Sequence, residues 1–133
     1  MGNKVILTVA PTGAWPTKED TPYVPLQPEE IAAEVYECWK VGASVAHIHV
    51  HDDEGKASMS FEKFEQTVRL IRKRCDIVLN LTTSGGLGLT DEIRMKPFIE
   101  LKPEIASYDC GSMNWLHTSV FENSPAFLEK LGV

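Results

Sequence analysis

The sequence predicts an α/β fold of repeated strand–helix units around a parallel sheet, on three observations. Four short apolar runs alternate with four segments of helical periodicity. The runs recur about every ~33 residues, the spacing of βα units. They are near-continuously apolar, as strands covered on both faces are. Doubly wound folds and (β/α)8 barrels share this order, which by itself does not separate them. A barrel usually needs ~250 residues, so the 133 residues of this single domain, 1–133, would make about four βα units of one.

The first run is Val5 to Ala10, read as a strand buried on both faces. After a loop rich in Pro, Thr and Gly, Pro28-Glu29-Glu30 starts a helix with proline and acids in its first turn. Ile31, Val35, Cys38 and Trp39 keep helical spacing, and Gly42 suits the C-terminal cap. The second run, Ala43 to His51, leads through a loop to Ser60. That serine caps a helix whose apolar stripe is Phe61, Phe64, Val68, Ile71 and Cys75. The third run, Ile77 to Thr83, ends in Ser84-Gly85-Gly86-Leu87-Gly88. Thr90 caps a third helix that Pro97 is expected to kink or restart. The fourth run, Ile105 to Cys110, gives way to Gly111-Ser112-Met113-Asn114, and a last helix begins at Ser124-Pro125.

A net charge of −6 argues against a nucleic-acid groove, which needs clustered Lys and Arg. The basic cluster from Arg69 to Arg74 lies on a helix pattern and suits a solvated face. Cys38, Cys75 and Cys110 are odd in number and far apart, which indicates neither disulfides nor a zinc knuckle. The N-terminal apolar run is too short for a membrane span and lacks a signal-cleavage pattern. A cytoplasmic protein with no membrane or nucleic-acid partner is expected.

Chemistry is expected in the second run, where His47, His49 and His51 alternate with Ile48 and Val50. A strand's period of two puts the imidazoles on one face and the aliphatic chains on the other. Two neutral imidazoles so spaced can reach one Zn²⁺, Fe²⁺ or Ni²⁺ ion. The bland alternative is a solvated strand or core histidines with backbone partners. Confinement of every histidine except His117 to this one strand favours the metal.

Glycines after the third run let backbone N–H groups approach a carboxylate or phosphate, although Gly-rich βα turns are common. Walker and dinucleotide patterns are both missing. Asn80 and Thr82 share a strand face and, if buried, need partners or a ligand. Ser112 and Asn114 occupy the corresponding place after the fourth run, where turn and cap chemistry is an equal reading. Asp52 and Asp53 either orient the histidines or hold the loop containing Gly55; the loop is the better assignment.

Several stretches together resemble the N-terminal half of the β-keto acid cleavage enzymes. They are Thr8-Val-Ala-Pro-Thr-Gly-Ala14, Pro28-Glu-Glu-Ile31, Gly42-Ala-Ser-Val-Ala-His-Ile-His-Val-His-Asp52 and Asn80-Leu-Thr-Thr-Ser-Gly-Gly-Leu-Gly88. Lys102-Pro-Glu-Ile-Ala-Ser107 and Gly111-Ser-Met-Asn114 complete the set. The resemblance implies a (β/α)8 barrel with Zn²⁺ at its C-terminal rim, commonly in a homo-oligomer. The implied reaction condenses a β-keto acid with acetyl-CoA to give acetoacetate and an acyl-CoA. His47 and His49 match the family's zinc-binding histidines. Thr82 and Ser112 match hydroxyl positions that contact substrate, and are assigned catalytic roles. Thr83, Gly85, Gly86 and Asn114 are assigned to substrate binding.

The chain departs from the family pattern in three ways. His51 stands where the family often has Arg. Trp15 follows Thr-Gly-Ala where the aminohexanoate-cleaving member has Glu, which removes a partner for a substrate amino group. The family's third zinc ligand, a Glu, and its Arg and Asp partners belong to later strands. Two rival readings follow: an amidohydrolase-like metal-dependent hydrolase, and a truncated half-barrel without catalysis. A half-barrel alone exposes strand edges and interior side chains, so the isolated 133-residue chain should dimerise or aggregate. A stable monomer on gel filtration would contradict that expectation.

Overall fold

The computed structural model describes residues 3–84 and 86–132. In chain order the elements are β1 (Thr8–Val9), α1 (Pro28–Lys40), β2 (Val45–Ile48), β3 (Val50–His51), β4 (Ala57–Ser58) and α2 (Phe61–Arg72). They continue with β5 (Val78–Leu81), α3 (Asp91–Leu101), β6 (Ile105–Ala106), β7 (Met113–Trp115), β8 (Ser119–Phe121) and α4 (Pro125–Leu131). Strands β1, β2, β5 and β6 form one parallel sheet in that spatial order. The βα repeat expected from the sequence is present.

Helix starts follow local chemistry. Pro28 opens α1, and the Glu30 carboxylate accepts from the backbone N–H groups of Leu26 and Gln27 at 2.9 and 3.1 Å. The Lys18 ammonium and those two backbone donors hold the Glu30 pKa down to about 2. Ser60 and Thr90 cap α2 and α3 as expected, accepting from Lys63 and Ile93. Helix α3 runs through Pro97 without a break, so it does not restart there. Proline deletes the one bond to the Ile93 carbonyl, and the flanking turns carry the helix past it.

One face of the sheet packs on α1 and α2. Ile31 and Val35 of α1, Phe64 and Ile71 of α2, Ile48 of β2 and Leu81 of β5 are fully enclosed. Removing such side chains from water contributes about 1.5–3 kcal/mol each before entropy is counted. Because Ala46 and Ile48 point into this core, His47 and His49 take the opposite face.

The first strand is shorter and more open than its apolar run suggested. Val5, Ile6 and Leu7 are 75%, 75% and 53% exposed. Apolar content signals a buried strand only where something covers it, and β1 is an edge paired with β2 alone. At the other edge only Ile105 and Ala106 of the fourth run join the ladder.

Two antiparallel hairpins escaped the sequence reading. At His49 the chain leaves the parallel ladder, and β3 pairs with β4 instead. Asp52 holds the connecting turn, its carboxylate accepting from Glu54 and Lys56 N–H at 3.1 and 2.8 Å. Asp53 pairs with Lys63, so both acids serve the loop. The second hairpin, β7–β8, turns through Leu116 and His117 at φ of 51° and 59°. Without a glycine to mark that left-handed turn, nothing in the local sequence announced it. Among the described residues, no helix is long and apolar enough to cross a membrane.

Candidate active site

A cleft of about 260 Å³ opens at the C-terminal ends of the parallel strands. Gly13, Ala14 and Trp15 come from the segment after β1, and His49 follows β2. Ser84, Gly86 and Leu87 follow β5, and Asp109 follows β6. The β7–β8 hairpin adds Met113, Trp115 and Phe121. Each parallel strand thus delivers side chains to the rim where α/β folds bind ligands.

His47 and His49 stand at the head of this arrangement, their Nε2 atoms 3.1 Å apart and their rings edge to face. Burial is the main cause that lowers both pKa values. Asn80 and the Asp109 charge partly offset it at His47. His49 is pushed down to about 4, burial being reinforced by the neighbouring His47 and His51 charges. Both rings are therefore neutral at physiological pH, the form that binds metals. Asn80 is in register with His47 across β2–β5, and its Oδ1 is enclosed without a partner. An acceptor beside one ring nitrogen is what fixes a metal-binding imidazole's tautomer.

His51 behaves differently. It is 1% exposed, and neither ring nitrogen meets a partner of normal geometry. Among the described residues no group of three or more His, Cys, Asp or Glu side chains is arranged to hold a metal. His51 therefore does not complete a three-ligand set with the other two.

The other assigned residues divide between the cleft and its supports. Thr82 is buried, and its Oγ1 lies 3.0 Å from Ser84 Oγ and accepts from Ser84 N–H. Thr83 is tied to Ser107: its N–H donates to Ser107 Oγ at 3.0 Å, and its hydroxyl donates to the Ser107 carbonyl at 3.1 Å. Gly86 lines the cleft at φ 151°. Gly85 lies outside the described residues. Ser112 accepts from the Asn123 N–H at 2.9 Å and braces the base of the hairpin. Asn114 faces a different cavity, with His117 and Thr118 at the hairpin tip.

Ser84 and Asp109 reach the cleft without having been assigned roles; their strand-end positions were the available signal. Arg94 gave no signal at all. It is 5% exposed and donates to the Thr83 carbonyl, the Glu122 carbonyl and Asn123 Oδ1 at 2.7, 2.8 and 2.7 Å. Its guanidinium also lies 3.9 Å from the Phe127 ring centroid. It ties the end of β5 to the segment leaving the hairpin.

The lowered histidines make the metal-free chain sensitive to mild acid. An unfolded chain takes up imidazole protons near pH 6.5, whereas folded His49 resists them until about 4. Stability is thus complete above about 6.5 and falls as pH drops toward 4. The loss between about pH 7 and pH 5 should be on the order of 2 kcal/mol. Urea unfolding at the two pH values checks this, and His49→Gln should flatten the difference. An equal slope in the variant would count against it.

A family model described as beta-keto acid cleavage enzyme matches residues 4–133. The chain is 39% identical over 133 residues to a 3-keto-5-aminohexanoate cleavage enzyme from Fusobacterium nucleatum subsp. nucleatum, covering 99% of this chain and 48% of the relative. It is 43% identical over 122 residues to the enzyme of the same name from Acetoanaerobium sticklandii, covering 91% and 44%. A 3,5-dioxohexanoate:acetyl-CoA acetone transferase from Paraburkholderia graminis is 40% identical over 113 residues, or 84% and 36% of the two chains. The chain therefore spans about half the length, or less, of these relatives. In fold it superimposes on ObcA, solved as a ternary complex with a C4-CoA adduct and oxalate, with a TM-score of 0.73. That match has 24% identity and covers 83% of this chain and 28% of ObcA. The architecture is that of about four βα units from a (β/α)8 barrel. On the match along nearly its whole length, this chain belongs to the β-keto acid cleavage enzyme family.

Proposed function

We propose that this chain supplies the metal-binding part of a zinc-dependent enzyme that condenses a β-keto acid with acetyl-CoA, giving acetoacetate and an acyl-CoA. The observation that carries the reading is the neutral His47–His49 pair, Nε2 to Nε2 at 3.1 Å, above a cleft at the strand ends. The donor set fits the ion. Zinc–imidazole bonds of about 2.0–2.1 Å in a tetrahedral site put neighbouring nitrogens about 3.3 Å apart. The remaining positions go to other protein groups, water or substrate. Zinc held there would supply Lewis-acid polarisation of the keto oxygen.

The chain's own residues have separable tasks in this scheme. Asn80, in register with His47, would orient that ring through its otherwise unpartnered Oδ1. Ser84, its hydroxyl held by Thr82, offers a hydrogen bond in the cleft beside the Gly86 backbone, which would approach the substrate carboxylate. Thr83 keeps that turn against Ser107. Ser112 and Asn114 act through the hairpin that closes the cleft. A homo-oligomeric, cytoplasmic enzyme is part of the same proposal.

Acetoacetate formation from acetyl-CoA and a panel of β-keto acids tests it. Zinc-dependent acetoacetate release by the full protein is the expected result. Hydrolysis of amides or lactones in its place would favour the amidohydrolase-like alternative. Neither activity, with less than about one zinc per two chains, would favour a non-catalytic half-barrel.

A further inference from the structure

We infer that the cleft selects β-keto acids carrying an uncharged, apolar substituent, through an aromatic wall of Trp15, Trp115 and Phe121. This rests on the β-keto acid reading above and adds the substrate class. Three observations support it. Trp15 and Trp115 come from distant parts of the chain yet stack, centroids 6.1 Å apart with planes at 23°. Phe121, on the strand paired with Trp115, meets that indole edge to face at 6.5 Å. The stack leaves Trp15 54% exposed, and Met113 beside it 43% exposed, so apolar surface stays uncovered in the same cleft as His49. The Trp115 indole N–H is enclosed and reaches no partner, so this ring offers the cleft carbon rather than a donor.

An ammonium substituent placed against this wall would give up water with no hydrogen-bond acceptor on the rings to replace it. Asp109 is the one carboxylate lining the cleft among the described residues, and its charge acts on His47 and Arg94. The Arg94 guanidinium lies over Phe121 at 5.4 Å from the ring centroid. That face of Phe121 is therefore already covered by a cation. Burial of an apolar group against the wall carries no such cost.

Calorimetric binding to the full protein, with zinc supplied, tests the inference with three probes. These are benzoylacetate, β-keto-δ-aminohexanoate and hydrocinnamate, the last matching benzoylacetate without its keto group. Benzoylacetate should bind at least about tenfold more tightly than the amino-bearing acid. Trp15→Ala should remove most of that preference, and Trp15→Glu should reverse it; the exposure of Trp15 makes both variants compatible with folding, checked by circular dichroism. Equal binding of the two keto acids, or a preference unchanged in Trp15→Ala, would overturn the inference. Hydrocinnamate binding as tightly as benzoylacetate, with the same dependence on Trp15, would keep the wall and remove the β-keto acid reading. No binding by any probe would remove both.

Discussion

Alanine at His47 or His49 is expected to weaken zinc binding by more than about 100-fold and to abolish acetoacetate formation in the same preparation. The basis is the pair's geometry: two neutral nitrogens 3.1 Å apart leave a single imidazole if either is removed. One nitrogen cannot hold the ion against water, because protein affinity for zinc comes from several ligands presented together. Loss of supporting partners of metal ligands typically costs 10–100-fold, about what Asn80→Ala should show. His117 is the internal control. It lies at the tip of the β7–β8 hairpin, facing a separate cavity, and His117→Ala should keep the metal. Zinc titration of the purified variants gives the answer. Unchanged affinity in His47→Ala would sink the metal site and the proposed reaction with it.

Replacing Arg94 should bring the largest loss of stability, about 3–4 kcal/mol for Arg94→Met. Its three short bonds end on two backbone carbonyls and one amide oxygen. Methionine fills much of the volume but leaves those acceptors unsatisfied in a place water does not reach. Arg94→Lys should lose less, about 2 kcal/mol, because one ammonium cannot meet three acceptors in the plane of a guanidinium. Wild-type and variant urea midpoints measure both. A midpoint for Arg94→Met within about 0.5 kcal/mol of wild type, the range of an ordinary surface change, would show that the bonds contribute little. The same substitution should loosen the hairpin carrying Trp115 and Phe121, since Arg94 bonds the residues just beyond β8.

Much of this was legible along the chain because the signals are local. A proline followed by two acids starts α1, and Ser60 and Thr90 cap their helices, since each depends only on residues a few positions away. The alternation of His47 to His51 with Ile48 and Val50 likewise needs nothing beyond the strand's period. That periodicity put the histidines opposite the aliphatic residues, and the core bears this out for His47 and His49. The motif stretches identified the family for the same reason: each is a short run of adjacent residues.

What the periodicity could not supply was the partner of each strand. The run from Val5 to Ala10 looks fully buried by composition, yet its first three residues are exposed because β1 lies at a sheet edge. The β7–β8 hairpin has no Asn-Gly or Gly-Gly turn, so its left-handed residues are held by the fold rather than announced by type. Ser112 and Asn114 follow the fourth run, as expected of rim residues. The hairpin then turns Ser112 toward its own base and Asn114 toward another cavity.

The sequence by itself determined the βα repeat, the helix caps, the family and the His47–His49 pair, because each is encoded by neighbouring residues. Tertiary structure alone decided that His51 is sealed away, that Arg94 joins β5 to the hairpin exit, and that Trp15 meets Trp115 beside that pair. Those relations join residues far apart in the chain. They arise from packing and from the need to pair buried polar groups, and neither leaves a periodic trace in the sequence.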